Sequence, residues 1–284
     1  MASIPKLFDR QALARHLSRR PPMPDFVTAL ALEDLELRLG AITRDFSQAL
    51  LLAPDMRGLP RGGRSANGPF SFALAATQFA EDGADLVDPE ALELPEAGYD
   101  LIVSLFDLAV VNDVPGFLSR LRAHLRPDGL FMGVTLGSST LTELRTAFLS
   151  ADTERSGGAF GRVAPFMSLA DAGGLLQRAG FALPVTDIET HIVRYADPLR
   201  LMRELKEIGA QNPLADRPDR LATPALIAAA SNAYGALATD TDGRVRATLE
   251  LIWISGWAPH ENQQKPLRRG SATISMKDVL GGKA

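Results

Sequence analysis

The amino-acid sequence predicts an α/β protein built on one open, mostly parallel sheet, and three observations carry that expectation. Short apolar runs recur from residue 48 onward, as QALLLA, PFSFALA, ADLV, YDLIVSLF and GLFMGVT. They are continuous rather than alternating, which is the pattern of strands buried on both faces. A helical stretch, Val114–Leu125, lies between the fourth and fifth runs, and strand, crossover helix, strand makes a parallel pair. At 284 residues and 46% hydrophobic, the chain can also bury a full core.

Taken in order, the opening segment FDRQALARHLSRR is helical and is stopped by Pro21, Pro22 and Pro24, since proline lacks an N–H donor and restricts the residue before it. A second helix starts near Asp25, with Val27, Ala31, Leu35, Leu39 and Ile42 forming one apolar stripe. Helix Val114–Leu125 is closed by Leu125-Arg126-Pro127-Asp128-Gly129, read as a proline and glycine turn. Helices follow near 141–153 and 168–179, the second opened by Ser168 with Asp171 and closed by Gly180. The run ALPVTDIE is a further strand. Asp197-Pro198 and Thr223-Pro224 each place a capping residue before a proline, giving helices near 198–208 and 224–238. The strand Thr248–Ser255 closes the sheet.

This gives an N-terminal helical segment over 1–45, a main domain over 46–257 with a helical insertion about 196–240, and an extended tail over 258–284. The stretch APDMRGLPRGGRSANGP, residues 53–69, reads as a long loop at the carboxyl edge of the sheet, where open α/β folds place ligands.

Composition excludes several function classes. With no cysteine there is no disulfide, thiolate metal site or cysteine nucleophile. A net charge of −4 with both signs interspersed gives no basic footprint for nucleic acid, and the cluster Arg15, Arg19, Arg20 reads as a solvated helix face. No run is long enough to span a membrane, and MASIPKLFDR lacks the apolar stretch of a signal peptide, so a cytoplasmic location is expected. The four histidines, His16, His124, His191 and His260, show no metal-ligand spacing, and no metal is expected. There is no G-x-S-x-G nucleophile elbow.

The candidate site lies at the carboxyl ends of the strands. A cofactor loop after the first strand needs glycines so that backbone can approach the ligand. Here that loop is Pro54-Asp55-Met56-Arg57-Gly58, with no G-x-G; it reads either as a functional loop or as a remodelled surface loop. The second strand ends in Ala75, Ala76, Thr77 and Gln78, where an acid would hold the ribose hydroxyls. Asp88 after the third strand either contacts an adenine amino group or caps the following turn. Asp107 is an acid inside an apolar run, which requires pairing or a cleft; it either lines a site or is a hydrogen-bonded structural residue. Asn112 and Asp113 read as helix caps, and Trp253 and Trp257 as packing.

The order of elements and the block LPEAGYDLIVSLFDLAVVNDVPGFLSRLRAHLRPDGLFMGV resemble a class I S-adenosylmethionine-dependent methyltransferase of the type 11 group. Three further stretches, FDRQALARHLSRR, PFMSLADAGGLLQRAGFALPVTDIETHIVRYADPLRLMRELKEIGAQN and GWAPHENQQKPLRRGSA, resemble the family of the mitochondrial respiratory complex I assembly factor and its alphaproteobacterial relatives. That family is a cousin of the biotin-pathway malonyl-carrier methyltransferase. The resemblance implies a Rossmann-like, seven-stranded, mostly parallel sheet with its last strand antiparallel. It implies S-adenosylmethionine as cofactor and action on a protein partner, by arginine hydroxylation of a complex I subunit or by methylation. Pro54, Asp55, Gly58 and Asp88 fall on cofactor-binding positions of the family; beside them, Asp107 is read as orienting substrate, and Phe8, Asp9 and Arg10 as a lid from the N-terminal helix. Two departures stand out: the glycine-poor first loop, and Ala109-Val110-Val111 where the family has an aromatic-containing stretch. They leave a second reading open, an inactive methyltransferase fold serving in assembly, with Arg57, Gly58 and HENQQKPLRRG contacting a partner.

Overall fold

The protein is described here by a computed structural model covering residues 6–81, 83–94, 98–218 and 221–263. Two helices lead, α1 (Arg10–Leu17) and α2 (Phe26–Gly40). The strands β1 (Ala49–Asp55), β2 (Gly62–Ser65), β3 (Gly68–Phe79), β4 (Asp85–Leu86) and β5 (Tyr99–Leu105) follow without an intervening α-helix. Then come α3 (Val114–His124), β6 (Leu125–Leu136), α4 (Thr142–Ser156), α5 (Leu169–Arg178), β7 (Ala182–Tyr195), α6 (Pro198–Glu207), α7 (Pro224–Ala238) and β8 (Val245–Trp257).

The eight strands form one sheet in the order β2-β3-β1-β5-β6-β8-β7, with β4 beside β3. Without β2, the remaining seven run β4-β3-β1-β5-β6-β8-β7. In this row β1, β3, β4, β5 and β6 pair in parallel, and β8 is antiparallel to both its neighbours. This is the expected Rossmann-like sheet. No helix among the described residues is long and apolar enough to cross a membrane.

Both faces of the sheet are covered, which is why its central strands are apolar throughout. Leu50 and Leu52 of β1 pack with Phe117, Leu121 and Leu176 from α3 and α5. Leu51 and Ala53, pointing the other way, pack with Ala31, Leu35 and Leu39 from α2. The helix starts are held where the capping residues stand: Asp25, Asp113, Ser168, Asp197 and Thr223 each accept a hydrogen bond from a backbone N–H in the first turn.

Three expectations are corrected. Residues 53–69 are not one long loop, because Gly62–Ser65 forms β2, an antiparallel hairpin partner for the first residues of β3. A short hairpin strand thus occupies the path where a crossover helix would link β1 to β3. Residues 125–129 do not make a terminating turn. They begin β6 directly, and the irregularity falls on Asp128, at a φ of 62°, and on a register shift against β5. Arg20 is not on a solvated face; its side chain is buried against Asp55 and Asp25, while Arg15 and Arg19 are exposed.

Candidate active site at the carboxyl ends of the strands

β1 ends on Asp55, whose side chain is only 1% exposed. A carboxylate this deep needs compensating charge and hydrogen bonds. Arg57, two residues on, provides both: its backbone N–H donates to Asp55 Oδ1 at 3.0 Å, and its Nη2 to Oδ2 at 2.7 Å. Arg20 Nε lies 3.0 Å from Asp55 Oδ2 and Arg20 Nη1 lies 3.5 Å from Asp25 Oδ2. Arg57 also donates through Nη2 to the Leu17 carbonyl at 2.6 Å and stacks on the Phe79 ring at 4.7 Å. One guanidinium therefore joins the end of β1 to the C-terminal end of α1.

Gly58 takes a φ of +75°, and a Cβ there would stand 2.6 Å from Pro24 Cδ. Packing against the proline accounts for this glycine. Pro54, just before Asp55 on β1, lines the chamber described below.

Asp107 opens a single 3₁₀ turn after β5 and is fully buried, at 0% exposure. Both of its oxygens accept hydrogen bonds of 2.6 Å, Oδ1 from the Thr77 hydroxyl and Oδ2 from the Ser104 hydroxyl. Burial pushes its carboxyl up to about 7, and the two hydroxyls counter this only in part. Its neighbour Phe106 is held at a φ of 67°, a strained value for an aromatic residue.

Asp88 is exposed, accepts from the Glu90 N–H at 2.9 Å, and pairs with Arg10. Phe8, Asp9 and Arg10 are each tied down. The Phe8 N–H donates to Asn112 Oδ1, Asp9 caps α1 and pairs with Arg217, and Arg10 Nη2 reaches the Thr77 carbonyl. Asp113 caps α3. Of the segment HENQQKPLRRG, residues 260–263 are described, Gln263 donating to Asp128 Oδ1; the remainder lies outside the described residues.

Against this cluster, and lined in part by Arg20, Asp25 and Asp55, lies a chamber of about 970 Å³, at the upper end of the range for small-molecule sites. Its walls are mostly apolar and come from the end of α1, the β1 and β5 ends, α4, α6 and β7, with Leu17, Phe106, Phe148 and Leu201 among them. Periodicity in the sequence gave no signal for this chamber, because its walls are drawn from segments that only tertiary packing brings together.

A class I methyltransferase would hold S-adenosylmethionine with a glycine cradle, a helix N-terminus after β1 and an acid on the next strand. The residues here do not fit that group. The helix is replaced by β2, Asp55 is spent on Arg57 and Arg20, and Thr77 stands at the acid position with its hydroxyl turned to Asp107.

Replacing Asp55 by Asn removes the buried carboxylate that two guanidinium groups share. It should lower stability by about 3–5 kcal/mol, read as a shift in urea midpoint. Asp107 makes a pH-dependent contribution. An unfolded aspartate titrates near 3.8 and this one near 7, so the native state holds the extra proton between those values. Its contribution to stability is then full below pH 4 and is lost as pH rises through 7. Relative to Asp107→Asn, the parent protein should lose on the order of a few kcal/mol between pH 5 and pH 8, measured by urea titration at both. A difference that does not change with pH would refute the buried neutral carboxyl.

The chain matches a methyltransferase-domain family over residues 52–184. It is 37% identical over 194 residues to the arginine-hydroxylase NDUFAF5, mitochondrial, of Danio rerio, a stretch covering 68% of this chain and 60% of that protein. Against its Homo sapiens counterpart the identity is 38%, covering 68% and 56% of the two chains. Against the malonyl-[acyl-carrier protein] O-methyltransferase of Halorhodospira halophila it is 32% over 192 residues, covering 68% and 63%. The chain thus spans 60% of the length of the zebrafish relative. The matched domain, these relatives and the strand order make the chain a class I methyltransferase-fold protein related to the NDUFAF5 arginine hydroxylases.

Proposed function

We propose that this chain works on a protein partner in respiratory complex assembly, with the 970 Å³ chamber that opens on the ends of β1 and β5 as its working site, and without S-adenosylmethionine in the usual pose of its class. The observation that carries this reading is the Asp55–Arg57–Arg20 cluster. A buried ion network placed where the ligand's cradle should be is retained for holding the fold, and a nucleoside would have to displace it. Asp88 and Asp107 then serve as anchors of the polypeptide: Asp88 for Arg10, and Asp107 for Thr77 and Ser104.

A second reading keeps catalysis. The relatives are named arginine hydroxylases, and a mostly apolar chamber would suit modification of an arginine side chain presented by a partner. In this reading the chamber holds the reacting side chain, and Phe106, strained beside Asp107, shapes its floor.

Calorimetric titration with S-adenosylmethionine and S-adenosylhomocysteine, alongside a thermal-shift scan, tests the proposal, because a ligand bound only by the native state must raise its stability. The expected outcome is no heat and no shift in Tm at millimolar ligand. Micromolar binding would sink it and restore methyl transfer as the activity to pursue.

A further inference from the structure

The two ends of the sheet are built differently. At one end lie β2, of four residues, and β4, of two, and edges this short offer little backbone to a neighbour. At the other end lies β7, fourteen residues long and, among the described residues, paired only with β8. The usual protections of an edge are confined to its first residues, where Pro184 falls within a register shift between Ala182 and Val185. From Thr186 to Arg194 the ladder against β8 is unbroken, and this stretch contains neither proline nor lysine. Its charges are engaged within the chain instead of guarding the edge. Asp187 and Glu189 face Arg38 of α2, and Arg194 pairs with Asp240 and Asp242. Ile188 and Ile192 remain 38% and 54% exposed.

The Ile188 N–H marks which backbone groups look outward. It donates to the adjacent Asp187 Oδ1 at 2.9 Å rather than to β8. Because outward and inward groups alternate along an antiparallel strand, the even-numbered residues from Thr186 to Arg194 present N–H and C=O to the open edge. His191 has a deficit of its own: its Nε2 is buried without a hydrogen-bond partner, and Glu189 Oε2 of the same chain stands 3.6 Å away.

A long edge with outward amides fits another strand, and the side chains select which one. A two-fold axis perpendicular to the sheet brings two copies of β7 together antiparallel. With the axis through Thr190, each Ile188 stands opposite Ile192 of the other copy on one face of the sheet. On the other face each Glu189 stands opposite His191 of the other copy. Both are favourable cross-strand pairs, and the second falls between hydrogen-bonded positions, where opposed side chains are closer. A shift of one pair in one direction sets Glu189 against itself; in the other it sets His191 against itself and Ile188 against Arg194. The strand is complementary to itself in this one register.

We infer that β7 is a dimerisation edge, which pairs antiparallel with β7 of a second copy about Thr190 and joins the two sheets into one. The junction does not depend on what the chamber holds or on whether S-adenosylmethionine binds. It borders the chamber, since Val193 and Tyr195 at the end of the same strand line it.

The test uses the full chain, with mass read by light scattering over a dilution series. A strand pair is a small interface, so a dimer should appear near about 100 μM and dissociate on dilution. Ile192→Lys puts two buried cations against apolar neighbours at the junction but sits at an exposed position of the single chain; it should be monomeric throughout, with circular dichroism and Tm unchanged. The chain has no cysteine, so Thr190→Cys introduces a single thiol. Under mild oxidation it should cross-link to its own copy, because opposed Cα atoms on the axis stand about 5.5 Å apart. Thr186→Cys should not cross-link, since its two copies would lie about 27 Å apart along the strands. A monomeric parent, a dimer that Ile192→Lys leaves intact, or cross-linking at Thr186 in place of Thr190 would each overturn the assignment. A monomer whose Thr190 and Ile192 amides are nonetheless protected from hydrogen exchange would place another segment of this chain on the edge, and would overturn it as well.

Discussion

A guanidinium taken out of water must find both a counter-charge and acceptors for its five N–H bonds, and the architecture around Arg57 follows from meeting that demand. Asp55, at the end of β1, supplies the charge, and the Leu17 carbonyl at the end of α1 supplies an acceptor. The N-terminal helix is thereby locked over the carboxyl edge of the sheet. Once α1 is there, Arg20 adds a second ion pair to Asp55, and Asp9 meets Arg217. The roof of the chamber is thus set by one buried charge.

The same economy of charge explains what became of the nucleotide crevice. In a ligand-binding sheet of this kind the polar groups at the strand ends are aimed outward at ribose and adenine. Here they are aimed at one another. Thr77 and Ser104 donate to Asp107, Asp55 accepts from Arg57, and Asp88 accepts from Arg10. Each pair is satisfied within the chain, and the hairpin strand β2 takes the path of the helix whose N-terminus would have faced the cofactor. What is left open is the mostly apolar chamber that the ends of β1 and β5 share with α4, α6 and β7.

Much of the fold was legible from residue pattern. Continuous apolar runs marked the strands because both faces are packed, by α2 on one side and by α3 and α5 on the other. Asp25, Ser168, Asp197 and Thr223 announced helix starts by their chemistry and proved to cap them. The stretch 53–69 misled, because glycine and proline density signals irregular backbone without distinguishing a loop from a hairpin strand of four residues. Arg20 misled for another reason: its spacing with Arg15 puts it on a helix face, but α1 ends before it and turns the side chain inward.

The sequence by itself determined the helices and most of the buried strands, that the sheet is mostly parallel, and that the first loop lacks the glycines of a cofactor cradle. These properties are local: they depend on periods of two or about four residues and on single capping side chains. Tertiary structure alone decided the fate of every charged residue at the strand ends. Arg57 reaches a carbonyl 40 positions away, Asp107 a hydroxyl 30 away, and Phe8 an amide oxygen 104 away. Electrostatic satisfaction is a property of neighbours in space, and no local pattern records who those neighbours will be. The chamber is of the same kind, since a void is defined by surfaces that the chain assembles only when folded.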